Sequence, residues 1–471
     1  MGIILSLAAL SIAFVGGLGI VLLRRPNASQ AGICGVCGSA LILGAGLVSL
    51  SSFYLGLLIH GVPLRCAVIG VCLGMAGYAW NRRGWPVLAF PGLRFGAPQA
   101  ILIALVTAQV GFVTWLSLYR ESLGWDGLFN WESKARAAFL NGGAIPLQYY
   151  SSNYDFFHRG YPPLVPLLEA WIYGFLGRTD QSMIKLIGPY FYLAATLLVV
   201  SVANQNRQWR WSRIFVILPF LLVPALAIGQ GSASSGYADF PLSAVYLCAA
   251  IYCLEYWRTR SMAPARLLGL TAALLPFTKT EGIVPLFCLA VAIIPLAVKE
   301  RNWKSAVWAI LPGLGIWLGW WTFLRSLGVP READYAGFTP AVLLSHINRA
   351  GPLLVWTVEE LTALRRWSLL WPLVAAGLFY LVRRQNKRLP WYPWAAAVCL
   401  PLLLYPCVYF FSAWNPVETH VRVSLPRLFV QAASVAALMV GVVLAEVMAP
   451  ATAGTADNSS RRDRRSQVPP R

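Results

Sequence analysis

Apolar residues run along the chain in blocks of 15 to 26, separated by short clusters of Arg, Lys, Asp, Glu, Gly and Pro. Thirteen blocks stand out, at 3–23, 34–59, 62–80, 98–119, 183–203, 213–229, 240–257, 265–279, 282–298, 305–324, 367–382, 390–411 and 428–448. Their lengths centre on the roughly 20 residues that carry an α-helix across the hydrocarbon core of a bilayer. None alternates with the ten-residue rhythm of a barrel strand, and lipid tolerates no unpaired backbone, so each block is predicted as a helix. The block at 265–279 is short and holds Pro276. With 282–298 it forms either two spans or one broken, re-entrant pair, which leaves the span count open by about two.

Three polar stretches are longer than turns, at 120–182, 325–366 and 412–427, and two are short, at 230–239 and 279–281. Within the first, residues 125–140 have helical periodicity. Asp126, Asn130 and Lys134 recur every four residues, Glu132 and Arg136 pair one turn apart on a neighbouring face, and Trp125, Leu128, Phe129 and Trp131 supply the apolar side. This pattern predicts an amphipathic helix along the membrane interface, its aromatic side among lipid headgroups. Gly142-Gly143 ends it, and Pro162-Pro163 opens the next helix.

Composition sharpens the class. With 58 % apolar and 12 % charged residues and a mean hydropathy of +0.61, a soluble enzyme, a secreted globular domain and a disordered scaffold are excluded. The chain reads as an all-α, polytopic membrane protein of about thirteen transmembrane helices. The net charge of +20 is a topological signal, so no nucleic-acid partner is expected. One set of connections carries Arg24-Arg25, Arg82-Arg83 with Arg94, Arg207/Arg210/Arg213, Arg258/Arg260/Arg266, Lys299/Arg301/Lys304 and Arg383/Arg384/Lys387/Arg388. With the tail it holds 23 basic and five acidic residues, against 15 and 13 elsewhere. The positive-inside rule then places those connections and the polar, basic tail at 449–471 in the cytoplasm, and the N-terminus outside. The first block lacks a basic leader and a small-residue cleavage site, and is expected to stay as an uncleaved helix.

All nine Cys lie in or at the ends of apolar blocks. Cys34 and Cys37 form a CxxC, but no other Cys or His joins them, and they sit among Gly35, Gly38, Gly44 and Gly46, as small residues at a helix-packing face do.

The candidate chemistry falls on the side opposite the basic loops. All four His are there, together with Asp126, the aromatic-rich stretch 149–161 enclosing Asp155, His158 and Arg159 and ending at Tyr161, and Gly236-Tyr237-Ala238-Asp239. Lys279 and Glu281 interrupt an apolar region. Exposing either to lipid costs several kcal/mol, so both are expected to face an internal cavity. His420, Arg422 and Arg427 precede the last block, where Arg427 has the alternative of snorkelling to the interface. Carboxylates suit proton acceptance from a hydroxyl, with Asp126 first and Asp239 and Glu281 behind it. Lys279, His420, Arg422 and Arg427 suit a phosphate. His158, Asp155, Lys134, Tyr161 and Tyr237 would shape the remaining pocket. Asp126, Asp155, His158, Asp239 and Glu281 could also supply ligands to a divalent metal, but no tight metal-binding spacing fixes one.

At GWDGLFNWESKARAAF (124–139), HRGYPPLVPLLEAW (158–171), GYADFPL (236–242), FTKTEG (277–282) and HVRVSLPRLFVQ (420–431), the chain resembles the GT-C superfamily of integral-membrane glycosyltransferases. The resemblance is to the bacterial branch related to protein O-mannosyltransferases and the lipid A aminoarabinose transferase. It implies a GT-C-like catalytic region over 98–448 behind a three-span extension at 1–97, in the cytoplasmic membrane of a bacterium. It also implies a polyprenyl-phosphate-linked sugar donor, a lipid-linked or glycan acceptor, and a base in the first large external loop, here Asp126. Three spans precede the one before that loop, where the better-known relatives have none. Two other readings stay open. One is a lipid-linked glycan ligase or polymerase, for which Arg325, Arg331, His346 and Arg349 of the 325–366 loop would carry the charge. The other is a transporter or flippase, which would concentrate polar residues within the spans.

Overall fold

The computed structural model describes residues 1–24, 32–83, 96–151, 158–205, 211–330, 332–384 and 390–449. Asp155, Arg331, the basic residues Arg25, Arg94, Arg207, Arg210, Lys387 and Arg388, and the tail from 450 onward lie outside these residues. The protein is all-α. The principal helices are α1 (Gly2–Arg24), α2 (Gly32–Gly56), α3 (Val62–Arg83), α4 (Ala97–Tyr119), α5 (Ser133–Leu140), α6 (Leu164–Leu176), α7 (Ile187–Gln205) and α8 (Arg213–Leu222). They continue with α9 (Asp239–Thr259), α10 (Met262–Thr278), α11 (Ile283–Glu300), α12 (Trp303–Ser326), α13 (Ala350–Leu361), α14 (Leu370–Arg384), α15 (Trp391–Cys407) and α16 (Val417–Val447). Among the described residues the sole β-type pairing is an isolated antiparallel bridge, Tyr335 to Ser412.

Ten helical stretches are long and apolar enough to cross a membrane. They match ten of the thirteen predicted blocks. The blocks at 213–229, 265–279 and 367–382 fall on shorter helices, α8, α10 and α14. The last helix starts eleven residues before its predicted block, so most of the polar stretch 412–427 is its first three turns and not a loop. Apolar residues and the backbone bonds of a continuing helix draw that polar segment into register despite its charges.

α9 and α16 form the enclosed centre: every residue of α9 from Asp239 to Cys253, and of α16 from Arg427 to Val443, is buried. α7, α8, α10, α14 and α15 pack around them, while α3, α4 and α12 leave most of their surface outward. α1 packs along α2, α3 and α6, and α2 on α7, so the first three spans are docked on the rest of the bundle. Several polar groups inside are paired across helices, which offsets the cost of burying them: Ser243 Oγ with Ser434 Oγ at 2.7 Å, Tyr252 Oη to Ser39 Oγ at 2.6 Å, and Tyr405 Oη to Gln431 Oε1 at 2.8 Å.

The predicted CxxC face is a packing face. A Cβ on Gly44 would lie 2.0 Å from Ala13 O, and one on Gly38 2.8 Å from Ala194 O, so α2 meets α1 and α7 at backbone contact. Cys34 and Cys37 are free thiols beside it.

Candidate functional site

Residues 125–140 are helical as predicted, with a π-helical stretch at Gly127–Glu132 running into α5. The Arg136 Nη2–Glu132 Oε1 pair forms at 2.7 Å. Its orientation differs from the predicted interfacial one. Asp126, Asn130, Trp131, Glu132 and Lys134 are all buried, and Trp125 is the ring left exposed. The physical reason lies in the next segment. Asn130 Oδ1 accepts from the backbone N–H of His158 at 3.1 Å, and Lys134 Nζ donates to the carbonyls of Arg159 and Tyr161 at 3.2 and 2.6 Å. The polar face that periodicity aligns therefore holds residues 158–161 and is not solvated. Tyr161 is stacked between Trp131, 5.1 Å away, and His158, 4.6 Å away.

Glu132 is wholly buried and accepts from Tyr173 Oη at 2.9 Å and Gln181 Nε2 at 2.7 Å besides Arg136. It belongs to the support of this segment.

Three other segments meet this one. Asp239 begins α9, Arg427 and Gln431 lie on α16, and Lys279 and Glu281 sit in the break between α10 and α11. Lys279 is extended there, and Gly282 lets the chain turn straight back, because a Cβ on it would lie 2.0 Å from Leu275 O. The charges alternate along one chain of contacts. Glu281 Oε1 lies 3.0 Å from Lys279 Nζ, which lies 2.7 Å from Asp239 Oδ1; Asp239 Oδ2 lies 3.3 Å from Arg427 Nε, whose Nη2 bonds Asp126 Oδ2. Gln431 Nε2 adds a bond to Asp239 Oδ1 at 2.8 Å. Asp239 is fully buried and takes three donors, the setting that makes a buried charge tolerable. Asp126 Oδ1 takes no protein donor among the described residues, and Asp126 lines a cavity.

That cavity, of about 500 Å³, is lined by Asp126, Lys279, Glu281, Arg427, His158, Arg159, Tyr161 and His420 among others, with Trp125, Tyr335, Trp414, Val423 and Leu428 as its apolar surfaces. His420 is held by Ser412 Oγ at 2.8 Å and stacks on Trp414 at 4.8 Å. Tyr237 lies behind Arg427, its ring centroid 4.5 Å from the guanidinium carbon. Lys134 stays outside the cavity, bound to backbone. Its full burial holds the amine down at about 7. Arg422 is not brought to the site. It is half-exposed and paired with Glu359 at 2.8 Å and Glu418 at 3.1 Å. Arg427 does not snorkel, because two carboxylates hold it inside.

Two acidic cavity residues fall outside the sequence-derived set. Glu332 Oε2 approaches His158 Nδ1 at 3.5 Å and Asp334 Oδ2 approaches Nε2 at 3.6 Å. The three form a group whose ligand atoms could hold a divalent metal ion. Burial lowers the affinity of this imidazole for a proton, but Glu332 and then Asp334 outweigh that and raise it overall. Their signal in the sequence is Glu332-Ala333-Asp334, two carboxylates two residues apart just after Pro330.

No family model, curated protein or solved structure matches the chain. Its class therefore rests on its own fold and cavity: a polytopic, all-α membrane protein with a charged, aromatic-walled pocket among its helix ends.

Proposed function

We propose that this protein is a GT-C-like membrane glycosyltransferase that moves a sugar from a polyprenyl-phosphate-linked donor to a lipid-linked or glycan acceptor. By the charge asymmetry of the loops, the reaction belongs on the extracytoplasmic face of a bacterial cytoplasmic membrane. The observation that carries this reading is the convergence of Asp126, Lys279 and Arg427, from three separate segments, on one aromatic-walled cavity. A carboxylate with a free oxygen suits general-base work, two buried cations suit a phosphate, and Trp125 and Trp414 suit the faces of a sugar.

In the proposed reaction an acceptor hydroxyl gives its proton to Asp126 Oδ1 as its oxygen attacks the anomeric carbon. The bond from that carbon to the phosphate oxygen breaks, and the electron pair leaves with polyprenyl phosphate. Lys279 and Arg427 take up the charge that grows there. One base and a direct displacement give inversion at the anomeric carbon. In the resting protein Arg427 is shared between Asp126 and Asp239. A bound phosphate competes for the same guanidinium, which loosens its hold on Asp126 as the donor arrives.

Purified protein is to be assayed with a panel of polyprenyl-phosphate sugars, with release of free polyprenyl phosphate as the readout. Asp126→Asn is expected to fold, to bind donor and to lose turnover by the ~10²–10⁴-fold typical of general-base removal. Arg422→Met, outside the cavity, is expected to turn over normally. Transfer by Asp126→Asn at the wild-type rate across a pH range would remove it as base.

A further inference from the structure

The rim of the cavity carries an arrangement that the transfer chemistry above does not use. Glu332 and Asp334 approach the two nitrogens of one imidazole, and among the described residues neither carboxylate is paired with a Lys or Arg. Elsewhere around the cavity the carboxylates are matched: Asp126, Asp239 and Glu281 each touch Arg427 or Lys279. Four carboxylates and three cationic side chains line the cavity, and buried Asp239 adds a further negative charge to the same network. Counted against Lys and Arg alone the region is anionic, an unfavourable field for any phosphate-bearing ligand.

His158 and Asp334 are each oriented by a contact outside the cluster. The backbone N–H of His158 is fixed by Asn130, and its ring lies stacked on Tyr161 at an interplanar angle of 14°. Asp334 Oδ1 accepts from Trp414 Nε1 at 2.8 Å, which turns Oδ2 toward the imidazole. The segment bearing both carboxylates is pinned by backbone bonds to the stretch before α16: Ala413 N to Asp334 O at 2.8 Å and Ala336 N to Phe411 O at 2.9 Å. Groups held this way from a second layer are what fixes metal ligands in place.

From this geometry we propose that His158, Glu332 and Asp334 form a divalent-cation site, one imidazole nitrogen and two carboxylate oxygens, with its open positions facing the cavity. The three donor atoms lie within 4.8 Å of one another. A cation about 2.0–2.3 Å from each ligand needs separations of about 3–4 Å, so small rotamer adjustments close the tripod. The mixed nitrogen and oxygen set fits first-row ions from Mn²⁺ to Zn²⁺ better than Ca²⁺, which takes six to eight oxygens. Three protein ligands leave coordination positions free, and a dipositive ion there offsets the surplus negative charge. The ligand that completes it is an oxyanion such as a phosphate oxygen. That last step rests on the glycosyl-transfer reading; the cation site itself does not.

The test uses the full-length protein, stripped with chelator and titrated with Mn²⁺, with bound ion read from the loss of the free-ion electron paramagnetic resonance signal. One saturable site per chain is expected, emptied by added Zn²⁺, and weakened at least tenfold in Asp334→Asn and in Glu332→Gln with unchanged elution profile. No saturable Mn²⁺ or Zn²⁺ binding by the wild-type chain, or equal binding by wild type and both variants, overturns the proposal. Because the readout is bound metal and not transferred sugar, this result and that of the Asp126→Asn assay can fail independently.

Discussion

Lys134 shows how a single residue's role depends on what folds over it. Its position two turns after Asp126 gave it a place on a polar helix face, and its nitrogen ends up wholly buried on two carbonyl oxygens, with no carboxylate among the described residues bonded to it. Burial lowers its proton affinity from the ordinary 10.5 to about 7. Between those values the unfolded chain binds a proton that the folded chain lacks, so stability from this group rises with pH across that window. Below about 7 the cost of the buried ammonium is fully present and flat. The difference in thermal midpoint between wild type and Lys134→Met in detergent is expected to shift in favour of wild type as pH climbs from about 7 toward 10.5, with a local slope of at most about 1.4 kcal/mol per pH unit. A difference that stays constant over that range would mean Lys134 titrates normally. Arg427 and Arg422 make the complementary point. They are five residues apart on one helix, yet one is locked between buried carboxylates and the other pairs at the surface. Their spacing of 1.4 turns puts them on different faces, and helical phase alone does not say which face meets the cavity.

At the scale of elements, hydropathy located the helices, and glycine decides how closely two of them approach. A Cβ on Gly17 of α1 would lie 1.9 Å from Ala40 O, the reciprocal of the Gly44 contact with Ala13 O. Both obstacles are backbone, which cannot rotate aside as a side chain can. Gly44→Val is therefore expected to push α1 from α2 and to destabilise the protein by at least the ~1–3 kcal/mol of ordinary overpacking, seen as a lower thermal midpoint. Cys37→Ala on the same helix, half-buried and unbonded, should leave that midpoint nearly unchanged. The break at Lys279–Gly282 is the element that sequence patterning left ambiguous. Its reason for existing is tertiary: an uninterrupted α10–α11 would not present Lys279 to Asp239. The early start of α16 has a similar cause. Its first turns look like loop by polarity, but they carry His420 and Arg427 into the cavity wall.

For the whole molecule, the segments that the charge pattern put on one side do converge on one cavity, and the basic cluster Arg258–Arg266 lies about 28 Å along α9 from Asp239, by helical rise. On a background without native Cys, exposed Thr179→Cys is expected to react with a membrane-impermeant maleimide from outside, and Arg258→Cys only after permeabilisation. The reverse pattern would place the cavity in the cytoplasm and end the extracytoplasmic reading. Helix class, the positions of most spans and the separation of basic from mixed-charge loops were legible in the sequence, because burial in lipid imposes a strong, local hydropathic signal. So were Asp126, Lys279, Glu281, Arg427 and His158 as groups out of place in apolar or aromatic surroundings. What only the tertiary structure decided was which of them share a field. Arg427 bridges residues 301 and 188 positions away, and Glu332 and Asp334 reach His158 from a loop more than 170 residues later in the chain. Partnerships at that range are set by helix packing and by the cost of leaving a buried charge unmatched, and neither leaves a local periodicity to read.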